Sequence, residues 1–479
     1  MTGDFLDLTI DRVAHGGHCV ARIGAGDASG NGVARIGADG ANENGVASVG
    51  TGDDGGGVDG GASADDAGSD DVGRVVFVRH ALPGERVRAR VTSRGKIWRA
   101  DAVDLLGDPS PDRVPSPWPE AGPDLGDGRS GVGGGELAHV SLDGQRRWKA
   151  AVVADQFSRL AKIDLAEAFP DFAVEAAPGD GPIDQGGRGG LHYRTRIDLV
   201  TDGDGRAGML GHRSHDVVPL DTMPLATEAV LALADAENVW RRRWPRDARL
   251  TLVAPANGTD PLLLVGGVPS RKGKPDIRPN ARATVTETVQ AATGETYTYR
   301  VAADGFWQVH RQAPALLVDA VTEAVGDVAG QVVFDLYAGA GLFTLPLADA
   351  VGPRGRVVTV EGDETAVKQA KRNTHARANV ELHRGAVARV MAGRYALAGD
   401  SDRPAAFVLD PPRAGAGATV IDQVARLQPD RVIYVACDPA ALARDTSYLL
   451  AHGFRLGSLR AFDLFPMTHH VECVATMTR

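Results

Sequence analysis

The chain has 479 residues, 24% of them charged and 43% hydrophobic, a length and composition suited to about three soluble domains. No stretch approaches the ~18 uninterrupted apolar residues of a membrane helix, the start lacks a basic and apolar leader, and three cysteines are too few for a disulfide framework. A cytoplasmic, reducing setting with no membrane partner is expected, and the net charge of −10 is concentrated: residues 24–72 hold ten acidic residues against Arg35 alone, which leaves the remainder near neutrality and able to carry basic patches for phosphates.

In chain order, Phe5–Ile10, Val75–Val78, Arg86–Val91 and Trp98–Leu106 alternate or run apolar between Pro and Gly turns, which predicts a small β-barrel over residues 1–107. The intervening 24–72, with 15 glycines in 49 residues, reads as a disordered insert, because it cannot bury enough surface to offset ordering entropy. Its edge carries a decayed 13-residue repeat (Val20–Gly24, Val33–Gly37, Val46–Gly50) that looks like duplicated low-complexity sequence. Arg86, Arg88, Arg90, Arg94, Lys96 and Arg99 form a basic run in the barrel. A mixed α+β middle domain is expected at 108–305, with a helix over Leu142–Ala161, strands from Ile197 onward, and basic clusters at Arg241–Arg243 and Arg271–Lys274.

Residues 306–479 alternate strand-like and helical runs. Strands are predicted at Val332–Leu336, Val357–Val360, Val380–Leu382, Ala406–Leu409 and Val432–Val435, with a final pair near Leu459–Phe462 and Val471–Met477, giving a doubly wound, Rossmann-like α/β sheet. The first strand runs into Tyr337-Ala338-Gly339-Ala340-Gly341, whose glycines allow a tight turn and close ligand approach. Glu361, ending the second strand, can accept both hydroxyls of a ribose. Thr344 stands where a dinucleotide fingerprint would want glycine, which favours S-adenosylmethionine over NAD. The fourth strand ends in Asp410-Pro411-Pro412-Arg413; the aromatic that amino-group methyltransferases place after Asp-Pro-Pro is absent. The fifth ends at Cys437, where a thiolate at the ligand edge could attack an electron-poor ring carbon. Glu472 could serve as a general base, and Cys473 points to the opposite face by strand alternation.

Phe306-Trp307-Gln308-Val309, Asp335–Phe343, Asp410–Gly415, Ala436–Asp445 and His469–Glu472 resemble, in order and spacing, the RNA uracil-5 methyltransferase family; Val13–His18 and Leu82–Glu85 resemble its RNA-binding, OB-like TRAM barrel. The resemblance implies a class I, S-adenosylmethionine-dependent enzyme acting as a monomer on structured RNA. Cys437 would add to carbon 6 of a uracil, Glu472 would take the carbon 5 proton, and Gln308, Tyr337, Glu361 and Asp410 would hold the cofactor. The barrel favours ribosomal over transfer RNA. Asp438 stands where the family often has Asn, an extra carboxylate able to raise the Cys437 pKa. Many ribosomal members carry an iron–sulfur cluster on four cysteines; the matching positions here are Trp118, Val132, Gly135 and Met223, so no cluster and no metal are expected. The rival readings are a small-molecule or protein methyltransferase on the same fold and a non-catalytic RNA-binding protein.

Overall fold

The computed structural model describes residues 4–24, 71–126, 131–257, 260–395 and 403–479. Two compact units form, one of Met1–Ala14 with His18–Pro111, the other of His15–Gly17 with Asp112–Arg479. Among the described residues no helix is long and apolar enough to cross a membrane.

In the first unit, strands β1 (Phe5–Ala14), β2 (His18–Arg22), β3 (Val75–Arg79), β4 (Arg86–Arg94) and β5 (Trp98–Leu105) close into a barrel in the order β1-β2-β3-β5-β4. Period-two patterning sends Leu8, Val76, Val78, Val87 and Ala89 fully inside. The first repeat copy differs from expectation. Its residues 20–22 belong to β2, because Val20 and Ala21 find partners in Phe77 and Val76 of β3, a pairing that low-complexity composition hides. The other two copies, and nearly all of the insert expected at 24–72, lie outside the described residues. Where the chain leaves and rejoins the barrel the ladder is already closed: Ile23 N–H donates to Arg74 O (3.0 Å) and Gly73 N–H to Ile23 O (2.7 Å). The basic run is partly self-neutralised, with Arg88 on Asp7 and Arg94 on Asp4.

The second unit begins with helices α1 (Leu142–Gln156) and α2 (Leu165–Ala168) and strand β6 (Val174–Ala176). An antiparallel sheet follows, made of β7 (Arg196–Thr201), β8 (Ala207–Leu210), β9 (Val217–Pro219), β10 (Arg249–Val253), β11 (Leu262–Val265), β12 (Val268–Arg271) and β13 (Lys274–Pro275), with α3 (Glu228–Ala236) inserted after β9. The hairpin β14 (Thr284–Gln290) and β15 (Thr296–Ala302) leads to the last part: α4 (Ala313–Val325), β16 (Val332–Leu336), α5 (Thr344–Val351), β17 (Arg356–Glu361), α6 (Glu364–Asn373), β18 (Val380–Arg384), α7 (Val387–Arg394), β19 (Ala406–Leu409), α8 (Gly417–Arg426), β20 (Arg431–Ala436), α9 (Pro439–Ala451), β21 (Arg455–Asp463) and β22 (Glu472–Thr478).

The final sheet has eight strands in the order β18-β17-β16-β19-β20-β22-β21-β6. Strands β16 to β20 are mutually parallel, β22 runs antiparallel between β20 and β21, and β16 sits between β17 and β19. That reversal of strand order is a topological switch point, and the crevice outside it is where ligands bind in open α/β sheets. Both faces are covered by apolar packing, so Val333, Phe334, Leu336, Val358 and Phe407 are buried, as continuous apolar strands require. The border expected at 305 is not a break in packing. Strand β6 pairs with β21 at Val174 and Ala461, and α1 packs against β6 and α9, so chain from both sides of 305 builds one unit.

The four positions expected in place of cluster cysteines converge in an apolar plug. Trp118 is 0% exposed and Val132 and Met223 3% each, all in one core cluster, and Trp118 lies against Gly135, where a side chain would meet both it and Ala121. Among the described residues no group of three or more His, Cys, Asp or Glu could hold a metal ion.

Candidate active site

The first half of the site is the crevice at the ends of β16, β17 and β19. Tyr337 follows β16 with φ +64°, a turn held by N–H bonds from Tyr337 and Ala338 to Val360 O (2.9 and 3.3 Å). Glu361 is aimed by two backbone amides, Gly339 N–H on Oε2 (2.8 Å) and Asp363 N–H on Oε1 (2.6 Å), and each oxygen keeps a lone pair for a hydroxyl. Beneath them Asp335 is fully buried; Thr344 Oγ1 donates to its Oδ2 (2.5 Å) while Oδ1 has no partner. Burial raises Asp335 to about 7. Asp410, at the end of β19, is pushed up to about 7 by burial and by Asp335. Gln308 arrives on the loop between β15 and α4, where it lines a cavity of about 280 Å³ with Trp307, Thr195 and Glu287. That loop is tied to the glycine turn: Trp307 packs on Tyr299 (centroids 5.1 Å apart), whose hydroxyl donates to Leu342 O (2.9 Å).

The second half is where β20 and β22 meet. Ala436 pairs with Cys473 in their antiparallel register, so the next position along, Cys437, stands across from Glu472. Cys473 is fully buried in the core, on the face away from the crevice. Glu472 is 3% exposed, and burial and Asp410 hold its carboxyl well above the usual range. Cys437 is half-buried; burial and Glu472 raise its thiol to about 12 against the opposing pull of Arg413. Asp438 is only a small contributor to that rise. Its carboxylate is engaged elsewhere, capping α9 through Ala441 N–H (2.8 Å) and facing His15 Nε2 (3.1 Å), and although burial opposes it, these contacts hold it below the ordinary carboxylate range.

Several supporting residues escaped the sequence reading. Asp445 is fully buried, and its Oδ2 receives Tyr434 Oη (2.6 Å) and the N–H groups of Ala416 (2.8 Å) and Gly417 (3.1 Å), fixing the loop that follows Asp410. Arg413, noted from sequence only as a missing aromatic, donates to His470 Nε2. The 464–471 loop ahead of Glu472 is pinned from α1 and its surroundings: Lys149 Nζ bonds Asp463 and Phe465 O, Met467 N–H donates to Gln145 Oε1 (2.7 Å), and Tyr193 Oη donates to Pro466 O (3.1 Å). The only local signal for these was the presence of Asp445 inside a motif.

An adenosyl crevice, a strand-end thiol and a facing carboxyl define a methyltransferase-like site. Residues 271–479 match the family profile described as tRNA (Uracil-5-)-methyltransferase. An uncharacterized RNA methyltransferase of Bifidobacterium longum is 42% identical over 85% of this chain and 92% of its own length. The 23S rRNA (uracil(1939)-C(5))-methyltransferase RlmD of Shewanella denitrificans is 28% identical over 84% and 91%. The crystal structure of Pyrococcus abyssi tRNA (uracil-54, C5)-methyltransferase with S-adenosyl-L-homocysteine shares the fold, with TM-score 0.57 at 21% identity, covering 84% of this chain and 95% of that one. The chain belongs to the S-adenosylmethionine-dependent RNA uracil-5 methyltransferase family.

Proposed function

We propose that this protein methylates carbon 5 of a uridine in structured ribosomal RNA through a covalent adduct with Cys437. The observation that carries the reading is the β20/β22 register, which sets Cys437 opposite Glu472 beside Asp410. The residues present fit the cofactor: among the described residues none donates a hydrogen bond to the Asp410 or Gln308 side chain, and the Glu361 oxygens are oriented with lone pairs to spare. Gln308, Tyr337, Glu361 and Asp410 would hold it, and when bound it supplies the methyl group.

The chain's own residues account for the remaining steps. Cys437 Sγ, as thiolate, adds to carbon 6 of the uracil, which makes carbon 5 nucleophilic enough to take the methyl group. Glu472, as carboxylate, removes the carbon 5 proton, and the electron pair left behind re-forms the 5,6 double bond as the carbon–sulfur bond breaks and Cys437 leaves. Burial favours the neutral form of both groups, and Arg413 favours the thiolate of Cys437. A base inside a helix must be flipped out to reach Sγ; the barrel, as a TRAM-like RNA-binding module, would hold the surrounding strand. Ribosomal RNA is favoured by the barrel and by likeness to the Shewanella enzyme, whose name gives a 23S rRNA uracil. Transfer RNA is the second reading, favoured by the shared fold with the Pyrococcus protein. Mapping 5-methyluridine in RNA from cells with and without the gene tests the proposal: a site lost in ribosomal RNA supports it, a site lost only in transfer RNA transfers the reading, and no change in 5-methyluridine overturns it.

A further inference from the structure

The antiparallel sheet of the second unit ends at the β12–β13 edge, where the turn Arg271-Lys272-Gly273-Lys274 is clamped by Glu237 just beyond α3. Both carboxylate oxygens of Glu237 are used on backbone, accepting the N–H groups of Lys272 (2.9 Å) and Gly273 (3.0 Å), and the residue is 7% exposed. Gly273 has φ +68°, and the Arg242 guanidinium occupies the space a side chain there would take. Arg242 is in turn held over the Trp244 ring, 5.3 Å from its centroid. These contacts bring together two runs that are far apart in sequence, the four arginines of residues 241–246 and the three cations of residues 271–274, and neither run contains an acidic residue.

None of these seven cations has an acidic partner among the described residues. Their neighbours do: Arg249 is paired with Asp198 (2.8 Å), Arg206 with Asp202 (2.9 Å) and Arg278 with Asp276 (2.6 Å). Surface cations on the barrel find partners too, Arg88 on Asp7 and Arg94 on Asp4. Arg242 joins these two basic runs at the sheet edge, where Glu237 is turned inward onto backbone and Asp276 is held by Arg278, and such a concentration of like charge makes a site for a polyanion. The edge also lacks what a protein partner would want at an interface core. Trp244 is buried beneath Arg242, and the exposed large apolar side chains here are Ile277 and, on β12, Val268, too few for such a core.

We propose that this edge is a second RNA-binding surface, gripping backbone phosphates of the substrate RNA at a distance from the reacting base. The inference rests on the proposed function and adds a place where the RNA is held. Because the contacts are to phosphates, they contribute affinity and register without reading sequence.

The test uses the full-length protein with Arg241, Arg243, Lys272 and Lys274 all changed to Ala; Arg242 is kept for its packing. The probe is ribosomal RNA from cells lacking the gene. If all four contact phosphate, the slope of log Kd against log salt should fall by roughly 3, at ~0.7 per contact, with Kd raised at least about tenfold at physiological salt. KM for RNA should rise while kcat at saturating RNA, S-adenosylmethionine binding and melting temperature stay unchanged. A variant with wild-type slope and Kd on RNA that the wild type does methylate overturns the surface and leaves the proposed function standing. Failure of the wild type to methylate any RNA is instead a failure of the proposed function. Binding to phosphatidylglycerol vesicles that is lost in the variant, with RNA binding intact, would assign the edge to a membrane surface and also overturn the proposal.

Discussion

Arg413 Nη2 lies 3.2 Å from His470 Nε2, joining the loop after Asp410 to the loop before Glu472. Arginine has no acceptor, so the imidazole must accept, with its proton on Nδ1. Burial, with His469 and Arg413 beside it, lowers His470 to about 3, so this ring stays neutral through the working pH range. Arg413→Ala should slow covalent adduct formation with 5-fluorouridine RNA by about 10²–10³, the usual cost of losing a preorganised charge. The acid limb of that rate should move to higher pH, because Arg413 is the group that lowers the Cys437 pKa. His470→Ala should cost about tenfold, a lost hydrogen bond to a charged group, with partial rescue by His470→Asn. A pH–rate profile unchanged in Arg413→Ala would remove Arg413 from thiol activation.

Cys437→Ala should abolish both methyl transfer and the adduct, because Cys473 is buried on the wrong face to replace it. Glu472→Gln should trap RNA on the protein, since its proposed task follows methyl transfer. Denaturing gels with labelled RNA distinguish the two; a Glu472→Gln enzyme that turns over at the wild-type rate contradicts the assignment.

The crevice also predicts a proton count. Asp410 and Asp335 are each raised to about 7 by burial, so at pH 7 a substantial fraction is protonated. S-adenosylmethionine carries a sulfonium charge that S-adenosylhomocysteine lacks. A cation near Asp410 lowers its pKa and drives proton release, so the former should release more protons than the latter near pH 7, with the difference vanishing well above it. Calorimetry in buffers of different ionisation enthalpy measures this. Asp335→Asn should lower the Asp410 pKa by removing its like-charged neighbour and shrink the difference.

Lys149 and Asp463, 0% and 2% exposed, form an ion pair beneath the 464–471 loop. Asp463→Asn should destabilise by about 3–5 kcal/mol, because it strands a buried ammonium. The double change Lys149→Met with Asp463→Leu should recover much of that stability yet leave the loop less well anchored through Phe465 O, lowering methylation more than melting temperature. Thermal unfolding beside activity measurements separates the two effects.

Trp118, packed on Gly135 and clustered with Val132 and Met223, is the centre of the apolar plug at the four positions expected in place of cluster cysteines. Trp118→Ala should cost about 3–5 kcal/mol as a cavity in a rigid core. Protein purified without oxygen should contain no stoichiometric iron or sulfide; a cluster absorbance band with matching iron analysis would refute the expectation.

Much of the fold was legible where one local rule governed. The predicted strands Val332–Leu336 and Ala406–Leu409 coincide with β16 and β19 because strands buried on both faces must be continuous apolar runs. Strand β2 was hidden, since its residues repeat in the low-complexity segment and only pairing with β3 makes a strand of them. Cys437, Asp410 and Glu361 were found from their positions at strand ends. Arg413 with His470, and Lys149 with Asp463, 314 residues apart, were not, because those contacts exist only once distant segments pack. Strand β6 was likewise invisible as part of the catalytic sheet, being three residues long and separated from β21 by nearly the whole unit.

The bonds between Ile23 and the Gly73-Arg74 pair complete the barrel ladder without any residue of the sequence between them. Closure cost rises only slowly with loop length, so deleting or exchanging the sequence between them should leave the barrel folded, and a barrel that unfolds on deletion of residues 24–72 would refute this. That makes the position a socket: a fluorescent or affinity domain whose own termini lie close together could be housed there, reporting on the enzyme from within while both chain ends remain untouched.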